Sequence, residues 1–349
     1  MKLLCFPNLV QENIVKQMKS AEVVLLSLSS LQSLGMIRKV GWKKFRQIHY
    51  DSNGNEITVY GIEENGLEHI LLKFIACSLS DVCYLENLER VNISGTKILY
   101  RFTSSERIVF YASAPAIESI ENHICALFGY NPEYTLCCEE IEGLLIPPKL
   151  KTTTISMFLP KSPLGSEELQ EYFSSSLDQT VVWLEGEMKE LLDSESSFFK
   201  TRHLQVNSNE IFDKQVLHSF QGRTLWLIES QLSDDSIIDF LQRWQSTNSY
   251  DDLQLLYIIM DQQHLLNSEY IKERIPIQRF NSLKPPKISR YLRGVSMTTG
   301  ISECQFEVSS PSFVTKDCDG RLASIEIQSN SLTFAVWSQD DMDMADNYK

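Results

Sequence analysis

Glycine is scarce in this chain, 14 of 349 residues, which leaves little material for loops that cradle phosphates. The short motifs of common chemistries are missing too: there is no GxSxG, P-loop, HExxH, CxxC or GxGxxG behind a strand pattern. No apolar run suits a bilayer span. The most apolar stretch, Glu22 to Ile37, is too short and is interrupted by serines. MKLLCF opens like an export signal, but Asn8, Gln11, Glu12 and Asn13 break the run early. Basic charge is in deficit, 32 Lys and Arg against 46 Asp and Glu, for a net charge of −14. Such a chain is a poor ligand for nucleic acid phosphates or anionic membrane, so neither is expected as a partner. The eight cysteines (Cys5, Cys77, Cys83, Cys125, Cys137, Cys138, Cys304 and Cys318) are dispersed. Free thiols in a cytoplasmic or nuclear protein are therefore expected.

What is present has globular proportions, 43% hydrophobic and 22% charged, with length for one large domain or two to three smaller ones. Charge is uneven. Residues 1–46 carry eight basic side chains against two acidic, a net of +6, and the remainder carries −20. A small basic module built to meet an acidic partner explains that split. Candidate chemistry is thin. Cys137-Cys138 beside Glu139 and Glu140, and the pair Cys77 and Cys83, are expected to be structural thiols rather than reactive or metal-binding ones. His203 and His218 are expected at the surface or at helix caps, and Trp183, Trp226, Trp244 and Trp337 in the core. Asp340, Asp341, Asp343 and Asp346 suggest a solvated end. No catalytic residue, metal or cofactor is expected.

Pro7 stands where a helix can begin without losing a hydrogen bond, and Leu9, Val10, Ile14 and Met18 follow at helical spacing. Ser20 could cap a second helix with the stripe Val24, Leu28, Leu31 and Leu34. Gly35 and Gly41 bracket a third element around Met36 to Trp42. Three such short helices cannot bury their apolar surface among themselves. This segment, FPNLVQENIVKQMKSAEVVLLSLSSLQSL, resembles an F-box, with its hydrophobic-Pro pair at Phe6-Pro7 and its apolar-serine run at Leu25 to Ser30. The resemblance implies docking on the acidic Skp-type adaptor of an SCF ubiquitin ligase, through Phe6, Pro7, Leu9, Val10, Ile14, Met18, Leu28 and Leu31. That reading requires Ile14 and Met18 not to be wholly enclosed by the chain itself.

Farther on, Phe45 to Ile62 alternates about Asn53-Gly54 and predicts a hairpin. TKILYRF and RIVFYAS predict strands, Ala116 to Phe128 a helix, and Pro147-Pro148 a linker. From residue 151 a strand–helix unit recurs, with strands centred on Ile155, Val182, Leu204, Leu225 and Leu255. In its clearest copy Ser233 caps a helix, Asp234 and Asp235 fill the first turn, and Ile237, Phe240, Leu241 and Trp244 form the buried stripe. This unit, with its Leu232, Asp234, Phe240, Leu241, Trp244, Leu253 and Leu256, resembles the F-box associated domain, type 2, of nematode F-box proteins. The segment from Pro311 to Trp337, with a turn at Asp319-Gly320, is similar to that family's closing hairpin.

The expected fold is α+β or α/β. A three-helix F-box over 1–45 and an α/β region over 46–150 precede an irregular leucine-rich-repeat-like stack over 151–280. A β segment with an acidic tail occupies 281–349. The resemblance implies a non-enzymatic subunit that links a Skp-type adaptor and cullin complex to an unidentified target protein. Two other readings are an interaction scaffold without ligase assembly and a cytosolic thiol hydrolase using Cys137 or Cys138.

Overall fold

The computed structural model describes residues 3–42, 44–54, 56–76, 88–93, 95–102, 108–139, 153–175, 179–280, 286–296 and 300–344. The chain divides into two compact units, Met1–Lys161 and Ser162–Lys349, each mixing helices with a sheet. The expected linker at Pro147-Pro148, and Cys77 and Cys83, lie outside the described residues.

The first unit opens on a 3-10 turn, Leu3–Cys5, and three helices: α1 (Asn8–Gln17), α2 (Ser20–Ser29) and α3 (Leu31–Val40). Pro7 is the N-cap of α1. The expected second stripe is split between two helices. At Ser30 the backbone leaves helical conformation and the hydroxyl accepts the Ser33 N–H at 3.0 Å. Val24 and Leu28 thus lie on α2, whereas Leu31 and Leu34 lie on α3, which begins at Leu31 rather than near Met36. Gly35 sits inside α3, and Gly41, at φ 64°, ends it in the left-handed conformation that glycine adopts without strain. Ser20 is not the cap of α2. The Glu22 carboxylate reaches back to the Lys19 N–H at 2.8 Å instead.

The sheet of this unit contains β1 (Phe45–Asn53), β2 (Glu56–Glu63), β3 (Glu68–Ala76), β4 (Glu89–Ile93), β5 (Thr96–Phe102), β6 (Ile108–Ala112), β7 (Glu133–Glu139) and β8 (Ile155–Leu159), in the order β8-β7-β1-β2-β3-β6-β5-β4. β1 and β2 form the hairpin expected about Asn53-Gly54, with Gly54 at φ 56°. β1–β7, β3–β6 and β7–β8 pair in parallel, and the other pairs are antiparallel. Helix α4 (Ala114–Phe128) crosses between β6 and β7 with Ile117, Ile120 and Ile124 buried. The hydroxyl of Ser27 on α2 meets His123 Nε2 on α4 at 2.7 Å. Val15, Val23 and Val24 are fully buried, so the N-terminal helices share the core of this unit.

In the second unit β9 (Val181–Glu185), β10 (His203–Asn207), β11 (Thr224–Ser230) and β12 (Leu255–Met260) lie side by side, parallel and in chain order. Helix α5 (Ser166–Ser175) precedes them. A 3-10 turn (Ser197–Lys200), α6 (Glu210–Ser219) and α7 (Asp234–Ser246) fill the connections, and α8 (Ser268–Arg274) follows. Right-handed crossovers between consecutive neighbours put every connecting helix on one face. Phe334, which lies in register with Leu256, contacts the rings of Phe240 and Trp244 of α7 on that face, at 5.4 and 5.0 Å. The strand at Ile155, expected as the first of this series, belongs to the first unit, where it pairs with β7.

The remaining strands are β13 (Gln278–Arg279), β14 (Lys287–Ser296), β15 (Gly300–Ser309), β16 (Ser312–Thr315), β17 (Leu322–Gln328) and β18 (Ser331–Val336). Within the second unit the strand order is β13-β16-β17-β18-β12-β11-β10-β9, and it is mixed because β18 joins β12 antiparallel. β14 and β15 form a separate hairpin that sets Phe306 against Trp226 and Tyr257, at 6.5 and 5.2 Å. The acidic tail is not merely solvated. Its described part forms α9 (Gln339–Met344), where the Asp341 carboxylate accepts the Ser338 N–H at 2.7 Å and an Arg290 guanidinium N–H at 2.6 Å, and Asp346 lies outside the described residues.

Candidate protein-docking face on the N-terminal helices

Helix α1 has two unlike sides. Gln11 and Val15, one turn apart, are buried. Val10, Ile14 and Met18 form the neighbouring row at the same spacing, and the chain covers them only partly: Val10 is exposed, Ile14 and Met18 are half-buried. Phe6, Leu9, Val10 and Leu31 are 42, 68, 38 and 86% exposed. Pro7 is exposed and Leu28 half-buried. The eight candidate residues thus fall into an uncovered group (Phe6, Pro7, Leu9, Val10 and Leu31) and a half-covered group (Ile14, Met18 and Leu28). Leu4 extends the uncovered group at 41% exposure. Half of the large apolar side chains most exposed among the described residues lie in this short segment, a density that marks interaction surfaces.

The strip is held in shape by a residue with no obvious sequence signal. The Gln11 amide donates to the Phe6 carbonyl at 2.7 Å and to the Leu4 carbonyl at 3.3 Å. This ties the 3-10 turn to α1 and fixes where Leu4 and Phe6 project. Exposed cations are frequent in the same N-terminal segment. Lys16, Lys19, Arg38, Lys39, Lys44 and Arg46 are all exposed, and Lys16 pairs with Glu12 at 2.5 Å. Exposed apolar side chains in a positively charged segment suit an acidic protein with an apolar groove.

The other candidates divide on burial. Cys137 and Cys138 lie on β7, in register with Asp51 and Ser52 of β1. Burial, then Asp51 and Glu139, push the Cys137 thiol up to about 12, and burial raises Cys138 well above the ordinary thiol range. Both shifts disfavour the thiolate, the species a thiol hydrolase needs. His203, expected near the surface, is buried. It bonds the Thr224 hydroxyl at 2.8 Å, and burial lowers its pKa to about 4. His218, at the end of α6, is partly exposed, lies 3.2 Å from Asp239 and contacts Arg243. Trp183, Trp244 and Trp337 are buried and Trp226 is half-buried.

The chain matches no protein-family model, no curated protein and no solved structure. Among the described residues no group of three or more His, Cys, Asp or Glu side chains is placed to hold a metal ion. Among them no helix is long and apolar enough to cross a membrane. A cavity of about 400 Å³ in the second unit is lined by Arg223, Arg290 and Arg321 together with Asp251 and Asp252. Three of these five charges are paired, Arg290 with Asp341 and Arg321 with Asp251 and Asp319. The apolar strip is therefore the surface whose exposure most calls for a partner.

Proposed function

We propose that this chain is a substrate-recognition subunit of an SCF-type E3 ubiquitin ligase, in which the N-terminal helices act as an F-box. The observation that carries the reading is the exposure of Phe6, Leu9, Val10 and Leu31 on helices that are otherwise anchored in a core. Burying Leu9 and Leu31 in an adaptor groove stabilises a complex by about 1.5–3 kcal/mol each. The surrounding lysines and arginines accelerate encounter with an acidic adaptor more than they tighten it. The run β9–β12, leucine-rich-repeat-like in its strand–helix order, holds the target. The chain contributes no reacting group. It raises the effective concentration of a target lysine near the loaded ubiquitin carrier.

The test is a pull-down of the full chain by a purified Skp-type adaptor, comparing wild type with a Leu9→Asp, Leu31→Asp double variant. Both side chains are exposed, so the variant should melt within about 1 kcal/mol of wild type. Recovery should fall at least about tenfold, because two apolar contacts are lost and two carboxylates are desolvated. Equal recovery of the two proteins would exclude adaptor docking through this strip.

A further inference from the structure

The second unit carries an apolar surface that ligase assembly does not use. Its three most exposed large apolar side chains among the described residues are Leu191, Ile211 and Leu265, at 50, 68 and 63%. All three lie at the rim formed by the carboxyl ends of β9 to β12. Leu191 is in the segment leaving β9, Ile211 is in the first turn of α6 behind β10, and Leu265 is in the segment between β12 and α8. Leu191 and Ile211 share one surface. Gln215, one turn after Ile211 on α6, clamps the Leu192 backbone through its N–H at 3.0 Å and its carbonyl at 2.6 Å. Open α/β sheets bind ligands outside the carboxyl ends of their strands.

Charge identifies the occupant. The helices starting at this rim carry Glu167 and Glu168, Glu210, Asp234 and Asp235, and Glu269 in their first turns; Asp234 is half-buried, the others are exposed, and Glu269 pairs with Lys272 at 3.2 Å. Each helix N-terminus offsets roughly half a unit of negative charge, about two units over four helices. The five carboxylates left after the Glu269–Lys272 pair still exceed that. Asp234 and Asp235 accept from neutral donors, the Asn267 N–H at 2.9 Å and the Tyr270 hydroxyl at 3.1 Å, which orient the carboxylates without cancelling them. The segments 186–190, 208–209, 231–233 and 261–267 bring one lysine, Lys189, and no arginine. A rim that combines exposed leucine and isoleucine with an excess of negative charge repels acidic chains and attracts cationic ones.

We propose that this rim binds a basic, apolar-bearing peptide segment of a partner protein. Three strand spacings make the rim about 14 Å long, which about five extended residues cover. The surface is independent of the N-terminal strip, so the proposal stands whether or not the chain docks an adaptor.

The test uses the full chain and labelled peptides of about twelve residues, with leucines fixed and the other positions lysine, serine or glutamate, read by fluorescence polarisation. The lysine–leucine peptide should bind tightest and the glutamate–leucine peptide not at all. Raising salt from about 50 to about 500 mM should weaken the lysine peptide strongly. A Leu191→Ser, Ile211→Ser variant and an Asp234→Lys, Asp235→Lys variant should each lose about tenfold or more in affinity, whereas Leu9→Asp, Leu31→Asp should lose none. Binding blind to peptide charge, full affinity in both rim variants, or loss in the Leu9, Leu31 variant would each overturn the proposal. So would failure of the lysine–leucine peptide to bind.

Discussion

At the scale of single residues, Asp213 is the group whose ionisation matters most. It is fully buried on α6. One carboxylate oxygen accepts the Ser230 hydroxyl at 2.7 Å, and the other has no partner among the described residues. Burial raises its pKa to about 7. In the unfolded chain an aspartate titrates near 3.9, so between about pH 4 and 7 the unfolded state releases a proton that the folded state retains. Stability from this group therefore falls as pH rises through that window. Asp213→Asn removes the effect, because the amide oxygen can still accept from Ser230. Its stability relative to wild type, followed by thermal melts, should rise by roughly 1–3 kcal/mol between about pH 4.5 and 7.5. The comparison must be relative, because His49, His123 and His203, whose pKa values burial lowers to about 4, act in the opposite direction. They are taken up neutral, so their contribution is lost as pH falls below the ordinary histidine value near 6.5. None of this was legible in the sequence. Asp213 looks like an ordinary polar position of an amphipathic helix, and only the approach of Ser230 from β11 closes it off from water.

At the scale of elements, legibility followed local redundancy. Helix α7 was readable because several signals agree. Ser233 accepts the Ser236 N–H at 3.3 Å, Asp234 and Asp235 occupy the first turn, and Ile237, Phe240, Leu241 and Trp244 are buried at helical spacing. Ser233→Ala should therefore cost about 1 kcal/mol and Trp244→Ala about 3–5 kcal/mol of unfolding free energy, measured by denaturant titration. A Ser233→Ala cost below the error of that titration would show that the cap is dispensable. The break between α2 and α3 was not readable, because Ser30 sits in a serine-rich run where one more serine carries no signal. β3 escaped because Ile70 to Ile75 is a nearly continuous apolar run that suits a strand and a buried helix equally. β4 escaped because it is short and largely polar, and β7 because its two cysteines drew attention as a thiol pair.

At the scale of the whole molecule, burial sorts the thiols. Native alkylation followed by peptide mapping should modify Cys5 and Cys318, which are exposed. Cys125, Cys137 and Cys138 should react only after unfolding. Rapid native modification of Cys137 or Cys138 would revive a thiol-based activity. The same sorting separates what the sequence by itself determined from what it did not. Composition, the basic head and the acidic remainder were set by residue counts, which no folding can alter. The separate strands β9–β12 and the helix α7 were set by local periodicity and caps, which act over a few residues, whereas the parallel pairing joins residues about 20 to 30 positions apart. Tertiary structure alone decided which apolar side chains stay in water. Val10 and Val15 lie on one short helix and have the same side chain, yet one is exposed and the other sealed. Helical spacing groups residues onto faces, but which face is covered depends on chain that arrives from elsewhere in the fold. For that reason the sequence could offer Phe6, Leu9, Val10 and Leu31 as candidates, but only the folded protein separates them from the half-covered Ile14, Met18 and Leu28 and shows Leu191, Ile211 and Leu265 exposed.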